Sequence, residues 1–375
     1  MSWHEAWGLR NRARALAKAG IDATPKEEVH REGKWVVRVV VGGDGGEEGA
    51  VSGPNRGLQP AAGIPAAPRP EGRGSDVGDV RRPAPVLLVP PLMVRPMVFD
   101  LQPDHSFVRT LAGAGLPTYV LDLGVPDQTD QGMRLDDYVL GVMPAAVDAV
   151  RRHAGTERIS LVGYCLGGLF CLLHTAAHAD RNVERIVTIA TPIDFSKMGF
   201  VGLLGAAAAG RVDPLIDAMG VIPGWMATAG FQLLSGRRTV ARLFELPSRE
   251  ADEAYLRSYG SISRWLSGLV PYPGEAFKQL LRDVMRRNQV HSSWLTFGER
   301  RVDLGTVGCP VLAFAGDTDA IAPVASVVAL REHLPPGRVS VRMAPGGHVG
   351  ILGGPGAPEA VWRPAAEFLS TVSGA

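Results

Sequence analysis

The stretch Leu161–Gly168, LVGYCLGG, decides how the rest of the chain is read. It follows a run of buried-strand character, RISLVG, and leads directly into LFCLLHTAAHA, which has helical character. A chain that leaves a strand and enters a helix within so few residues must turn sharply. Gly163 and Gly167, two residues either side of Cys165, provide the room for such a turn. The central side chain of a turn of this kind is strained and exposed, and it stands at the N-terminus of a helix. The partial positive charge and free N–H groups of that terminus favour a thiolate, the reactive form of cysteine.

A thiol nucleophile needs a base and a carboxylate that orients it. When the nucleophile sits in such a turn, these come later in the chain, acid before histidine. PVLAFAGDTDAIAP places Asp317 and Asp319 just beyond a strand, and VSVRMAPGGHVG places His348 just beyond the next one. From position alone Asp317 and Asp319 compete for the role of acid. His174 falls mid-helix behind Cys165 and reads as packing. An oxyanion hole requires two N–H donors. Leu166, next after Cys165, supplies the first. The second is expected from the loop PPLMVR, where Pro90 and Pro91 have no N–H and Leu92, or its neighbour Met93, is the donor.

Outward from this centre, strands alternate with helices. PVLLVPP, TYVLDLG, RISLVGY and VERIVTIATP read as strands, and RLDDYVLGVMPAAVDAVRRHAG and LGGLFCLLHTAAHA as helices. Such alternation predicts a mostly parallel sheet with helices on both faces. The rhythm lapses over residues 194–305, which read mostly as helices inserted over one end of the sheet, and resumes with CPVLAFAGD, ASVVALREHL, RVSVRMAPGG and EAVWRPAAEFL over 306–375. The expected organisation is an N-terminal helix and strand (1–41), an α/β core in two parts (86–193 and 306–375) and a helical cap (194–305). The remaining stretch, 42–85, is rich in Gly, Pro and charge. It is expected as a disordered insertion, since it buries too little apolar surface to offset its ordering entropy.

The chain has 375 residues, 46% of them hydrophobic, enough for a sizeable core. Lys and Arg number 39 against 38 Asp and Glu, so no basic field calls for nucleic acid. Three cysteines, with no CxxC pair, give neither a disulfide framework nor a zinc site; reduced thiols and a cytoplasmic setting are expected. The longest apolar run, Met198–Gly210, falls well short of the roughly 20 residues of a membrane span.

Several long motifs resemble the polyhydroxyalkanoate synthases, specifically the short two-component type. They are LVGYCLGGLFCLLH, IVTIATPIDF, LGVPDQTDQGMRLDDYVLG, IDAMGVIPG, PGEAFKQLLRDVMRRNQV, VDLGTVGCPVLAFAGDTDAIAP and GGHVGI. The resemblance implies an α/β-hydrolase core with a helical cap and a Cys–Asp–His triad. It assigns the nucleophile to Cys165, the base to His348 and the acid to Asp319, because the family's acid precedes an x-Ile-x-Pro stretch, here Ala320–Pro323. It also implies acyl transfer from (R)-3-hydroxyacyl-CoA to form polyester, with acyl-CoA as substrate and no cofactor or metal. The implied partners are an accessory synthase subunit, a second copy of the chain, and a polyester granule or lipid surface, with granule association in the cytoplasm. Three positions depart from the family. Ala320 replaces a histidine after the acid, Leu123 replaces a tryptophan, and no aspartate follows Trp265 in WLSGLVPYPGE.

A thiolate that attacks a thioester forms another thioester of similar energy, which a hydroxyl can then accept. That logic favours transfer. The alternatives are a cysteine-nucleophile hydrolase (lipase, esterase or polyester depolymerase) and an idle subunit that only binds a partner; the intact set Cys165, Asp319 and His348 speaks against the idle subunit.

Overall fold

The structure is a computed structural model that describes residues 22–41, 82–293 without 231–252, and 295–371. The expected N-terminal helix, most of the Gly/Pro-rich stretch and part of the inserted helices lie outside the described residues. The last two residues of that stretch lie on the core: Ala84 and Pro85 are buried, and Ser160 donates its N–H to the Pro85 carbonyl at 2.8 Å.

Eight strands make one sheet. In chain order they are β1 (Lys26–Glu32), β2 (Trp35–Val40), β3 (Val86–Val89), β4 (Thr118–Asp122), β5 (Ile159–Tyr164), β6 (Val183–Ile189), β7 (Val311–Gly316) and β8 (Val339–Ala344). They lie side by side as β1-β2-β4-β3-β5-β6-β7-β8. β2 runs antiparallel to β1 and β4, and all pairs from β4 to β8 are parallel. Every residue of β3, β5 and β7 is buried. Strands buried along their whole length are covered on both faces, which is why they read as unbroken apolar runs.

β1 escapes a reading by apolar pattern. Its sequence, KEEVHRE, is mostly polar because an edge strand pairs on one side only and is shielded by charge. Lys26 reaches the buried Asp100 at 2.8 Å, and Arg31 pairs with Glu28.

The crossover from β3 to β4 carries helix α1 (Phe107–Gly113), capped by the Ser106 side chain on the Arg109 N–H. The long helical motif before β5 opens with an α-helical turn, Leu135–Asp137, passes through a π-helical turn, Tyr138–Val142, and continues as α2 (Met143–Ala154). Gly155, in the left-handed conformation, ends it. Helix α3 (Leu166–His178) follows β5 and is buried from Leu166 to Ala176. Between β6 and β7 the described chain forms α4 (Gly199–Ala208), α5 (Asp213–Met219), α6 (Glu253–Ser267) and α7 (Gly274–Gln279). Two small antiparallel pairings, Val221–Ile222 with Tyr272–Pro273 and Thr296–Phe297 with Arg300–Arg301, interrupt a stretch that reads as mostly helical. No helix among the described residues is long and apolar enough by itself to cross a membrane.

Candidate active site

Because β3, β5, β7 and β8 are parallel, their carboxyl ends share one edge of the sheet, and open sheets of this kind bind ligands there. Cys165 directly follows β5, Asp319 lies three residues past β7, and His348 lies four past β8.

The turn at Cys165 is as tight as its glycines suggest. Cys165 has φ 53° and ψ −122°, a conformation that strains any residue with a Cβ. Its N–H donates to the Ile189 carbonyl at 2.8 Å, and its own carbonyl accepts from the N–H of Gly168 at 3.1 Å. A Cβ on Gly163 would lie 2.3 Å from Gly168 Cα, and one on Gly168 would lie 2.0 Å from Thr191 Oγ1. A Cβ on Gly167 would lie 2.1 Å from the Val89 carbonyl oxygen and 2.8 Å from Pro90. Gly163 and Gly167 stand out in the sequence. The role of Gly168 emerges only once Thr191, at the end of the next strand, is seen to press on it.

The close approach of Gly167 to Val89 and Pro90 sets the loop after β3 against the N-terminus of α3. Leu166 is the first residue of α3, so its N–H has no acceptor within the helix. Leu92 is buried on the adjoining loop. Met93 has φ 60°, and its carbonyl accepts the Val270 N–H at 2.9 Å, which ties the inserted helical region to this loop.

His348 and Asp319 meet: Nδ1 and Oδ2 are 2.8 Å apart, and both side chains are buried. The second carboxylate oxygen of Asp319 accepts the N–H groups of Ile321 and Ala322 at 2.8 and 2.9 Å. The His348 ring also hydrogen-bonds the Cys165 side chain. Burial alone would lower the pKa of His348. The Asp319 carboxylate first, and then the neighbouring Cys165, outweigh it and lift it to about 10. The Tyr164 hydroxyl donates to the His348 carbonyl at 3.0 Å, and the two rings lie 5.3 Å apart. Tyr164 is a support that the sequence reading missed; its place beside Cys165 was the only available sign.

Asp317 is exposed, and its carboxylate accepts the Gly346 N–H at 2.8 Å. It braces the histidine loop and does not face the ring. His174 is buried along α3, about 13 Å from Cys165 by helical rise, and stacks on His178 at 4.7 Å. Cys171 and Cys309 are buried, and burial raises both thiols, Cys309 to about 12; Cys165 is half-buried. No group of His, Cys, Asp and Glu among the described residues could hold a metal ion. Leu123, where the resemblance expects a tryptophan, lines a groove of about 560 Å³ with Trp35, Met133 and Tyr138. Ala320 is exposed beside Asp319.

An eight-stranded, mostly parallel sheet with such a turn after its fifth strand and a histidine after its eighth is an alpha/beta hydrolase fold, and that family matches residues 95–355. The chain is 32% identical to the poly(3-hydroxyalkanoate) polymerase subunit PhaC of Synechocystis sp., over 72% of this chain and 73% of that one. It is also 32% identical to the same subunit of Allochromatium vinosum, over 76% and 78%. The chain therefore belongs to the poly(3-hydroxyalkanoate) polymerase family within the alpha/beta hydrolase superfamily. Among solved structures, a putative non-heme bromoperoxidase, BpoC, from Mycobacterium tuberculosis superposes with a TM-score of 0.50 at 17% identity, over 78% of this chain and 93% of that one, a likeness of fold.

Proposed function

We propose that this chain is an acyltransferase that takes acyl groups from (R)-3-hydroxyacyl-CoA and joins them into polyester, with Cys165 as nucleophile, His348 as base and Asp319 as its orienter. The observation that carries the reading is the hydrogen-bonded series Cys165–His348–Asp319 at the carboxyl edge of the sheet, in a chain whose curated relatives are polymerases of this type.

The Cys165 thiol passes its proton to His348, and the sulfur attacks the thioester carbonyl carbon. The negative oxygen of the tetrahedral intermediate is held by the N–H groups of Leu166 and Leu92. The bond from carbon to the CoA sulfur breaks, His348 returns its proton to the departing CoA thiolate, and the acyl group stays on Cys165. A hydroxyl from a second acyl unit then gives its proton to His348 while its oxygen attacks the acyl carbon. The bond to Cys165 breaks, and the sulfur recovers the proton. Asp319 holds Nδ1 throughout and stabilises the imidazolium. No cofactor or metal enters either half.

Exposed apolar side chains on the inserted helices, among them Phe200, Leu203, Leu215 and Trp225, support a polyester granule or lipid surface as a partner. Hydrolysis is the second reading. Ala320 favours it, because it removes a polar group beside the acid without disturbing the acid itself.

Intact-mass spectrometry after incubation with 3-hydroxybutyryl-CoA tests the reading. An acyl adduct on Cys165 that is absent from Cys165→Ala, with CoA released and oligoester accumulating, is the expected result. CoA release with free acid as the only product would establish hydrolysis instead.

A further inference from the structure

Tyr272 is 2% exposed, and its hydroxyl oxygen is buried with no hydrogen-bond partner among the described residues. Buried hydroxyls are normally satisfied, so an orphan calls for an explanation. The residue is held firmly. Pro271 and Pro273 flank it and restrict the backbone on both sides. Its backbone pairs with Ile222, and its ring meets the edge of Phe277 at 5.4 Å.

The place of this phenol in the fold is specific. Two residues earlier, the Val270 N–H is bonded to the Met93 carbonyl, next to Leu92 on the loop that faces the N-terminus of α3. The phenol is also within electrostatic reach of Cys165 and of Tyr138. Burial keeps it protonated. It is therefore a rigid, neutral, unpaired hydroxyl on a segment bonded to the loop that faces the N-terminus of α3.

We propose that the Tyr272 hydroxyl positions the substrate by hydrogen-bonding the 3-hydroxyl of the acyl chain on Cys165, an inference that rests on the acyl-transfer reading above. The carbonyl of that acyl group already has Leu166 and Leu92 as donors. The one other polar atom of a short 3-hydroxyacyl chain is its hydroxyl oxygen. A phenol and an alcohol each donate and accept, so the pair satisfies both. A site built to bond a substrate hydroxyl penalises an analogue that lacks it, because the protein group is then left unpaired.

The test compares (R)-3-hydroxybutyryl-CoA with butyryl-CoA on the full-length wild type and on Tyr272→Phe, which keeps the ring and its packing. In the wild type, kcat/KM should favour the hydroxylated substrate. Tyr272→Phe should lower that value about tenfold, the worth of one neutral hydrogen bond, and leave butyryl-CoA unchanged. Its Tm should hold or rise, since a buried orphan is removed. Equal losses on both substrates, no change on either, or a lower Tm would overturn the proposal. If neither thioester acylates wild-type Cys165, the transfer reading has failed. The phenol is then judged on hydrolysis of 4-nitrophenyl 3-hydroxybutyrate against 4-nitrophenyl butyrate, where the same selective loss sustains the proposal and an equal effect overturns it.

Discussion

The carboxylate of Asp317 accepts the backbone N–H of Gly346 at 2.8 Å, and so fastens the loop that carries His348 to the loop that carries Asp319. Two neighbouring carboxylates thus divide the work: Asp319 bonds the imidazole, and Asp317 bonds the backbone that presents it.

Their variants should differ in kind. Asp319→Asn removes the charge that stabilises a protonated His348, and turnover should fall by about 10⁴, as for the orienting acid of other triads. Asp317→Ala loosens the loop and leaves the ring's own partner in place, so the loss should be about tenfold or less. Steady-state CoA release measures both. Comparable losses would mean that the brace and the orienter are not separate.

Backbone strain at Cys165 gives a second expectation. A non-glycine residue in a sparsely populated conformation costs about 1–3 kcal/mol, and glycine escapes most of that. Cys165→Gly should therefore be about 1 kcal/mol more stable than Cys165→Ala, with both devoid of activity. Urea denaturation of the two variants decides it, and a more stable Cys165→Ala would mean that the turn is relaxed.

Protonation of His348 sets a third. Its pKa is raised from 6.5 to about 10 on folding, so the folded chain holds this proton more tightly than the unfolded one. The stability this contributes is complete below 6.5 and is lost as the pH climbs through about 10. The Tm difference between wild type and His348→Gln should be largest on the acid side and shrink steadily across that interval. A difference that widened with pH would contradict the sign.

Much of the fold is legible in the residues because burial on two faces leaves an unmistakable trace. PVLLV, RISLVGY and CPVLAFAG are unbroken apolar runs, and each is a central strand. β1 left no such trace, since an edge strand with one neighbour can be built from charges. The π-helical turn at Tyr138–Val142 was equally silent, because it only shifts the phase of an otherwise helical pattern. At the site, Cys165 and His348 announce themselves through glycines and strand ends. Position could not separate Asp317 from Asp319, since both lie just past the same strand; the difference is which of them faces a ring 29 residues further on. Tyr272 was beyond reach for a related reason. Its proposed role depends on contacts between the loop after β3 and a segment almost half the chain away.

The turn is held by the backbone of Cys165, whose N–H bonds the Ile189 carbonyl and whose carbonyl accepts the Gly168 N–H, and by the close approach that Gly163, Gly167 and Gly168 allow to Val89, Pro90 and Thr191. With Cys165 as the proposed nucleophile, these backbone features specify where the reactive atom stands and leave open which element it is. Serine would occupy the same backbone, so a change of one atom separates this chain from an oxygen-nucleophile enzyme. In evolutionary terms the presenting architecture and the identity of the nucleophile are separately heritable. A lineage could move between cleaving esters and making them without rebuilding the platform that carries the chemistry.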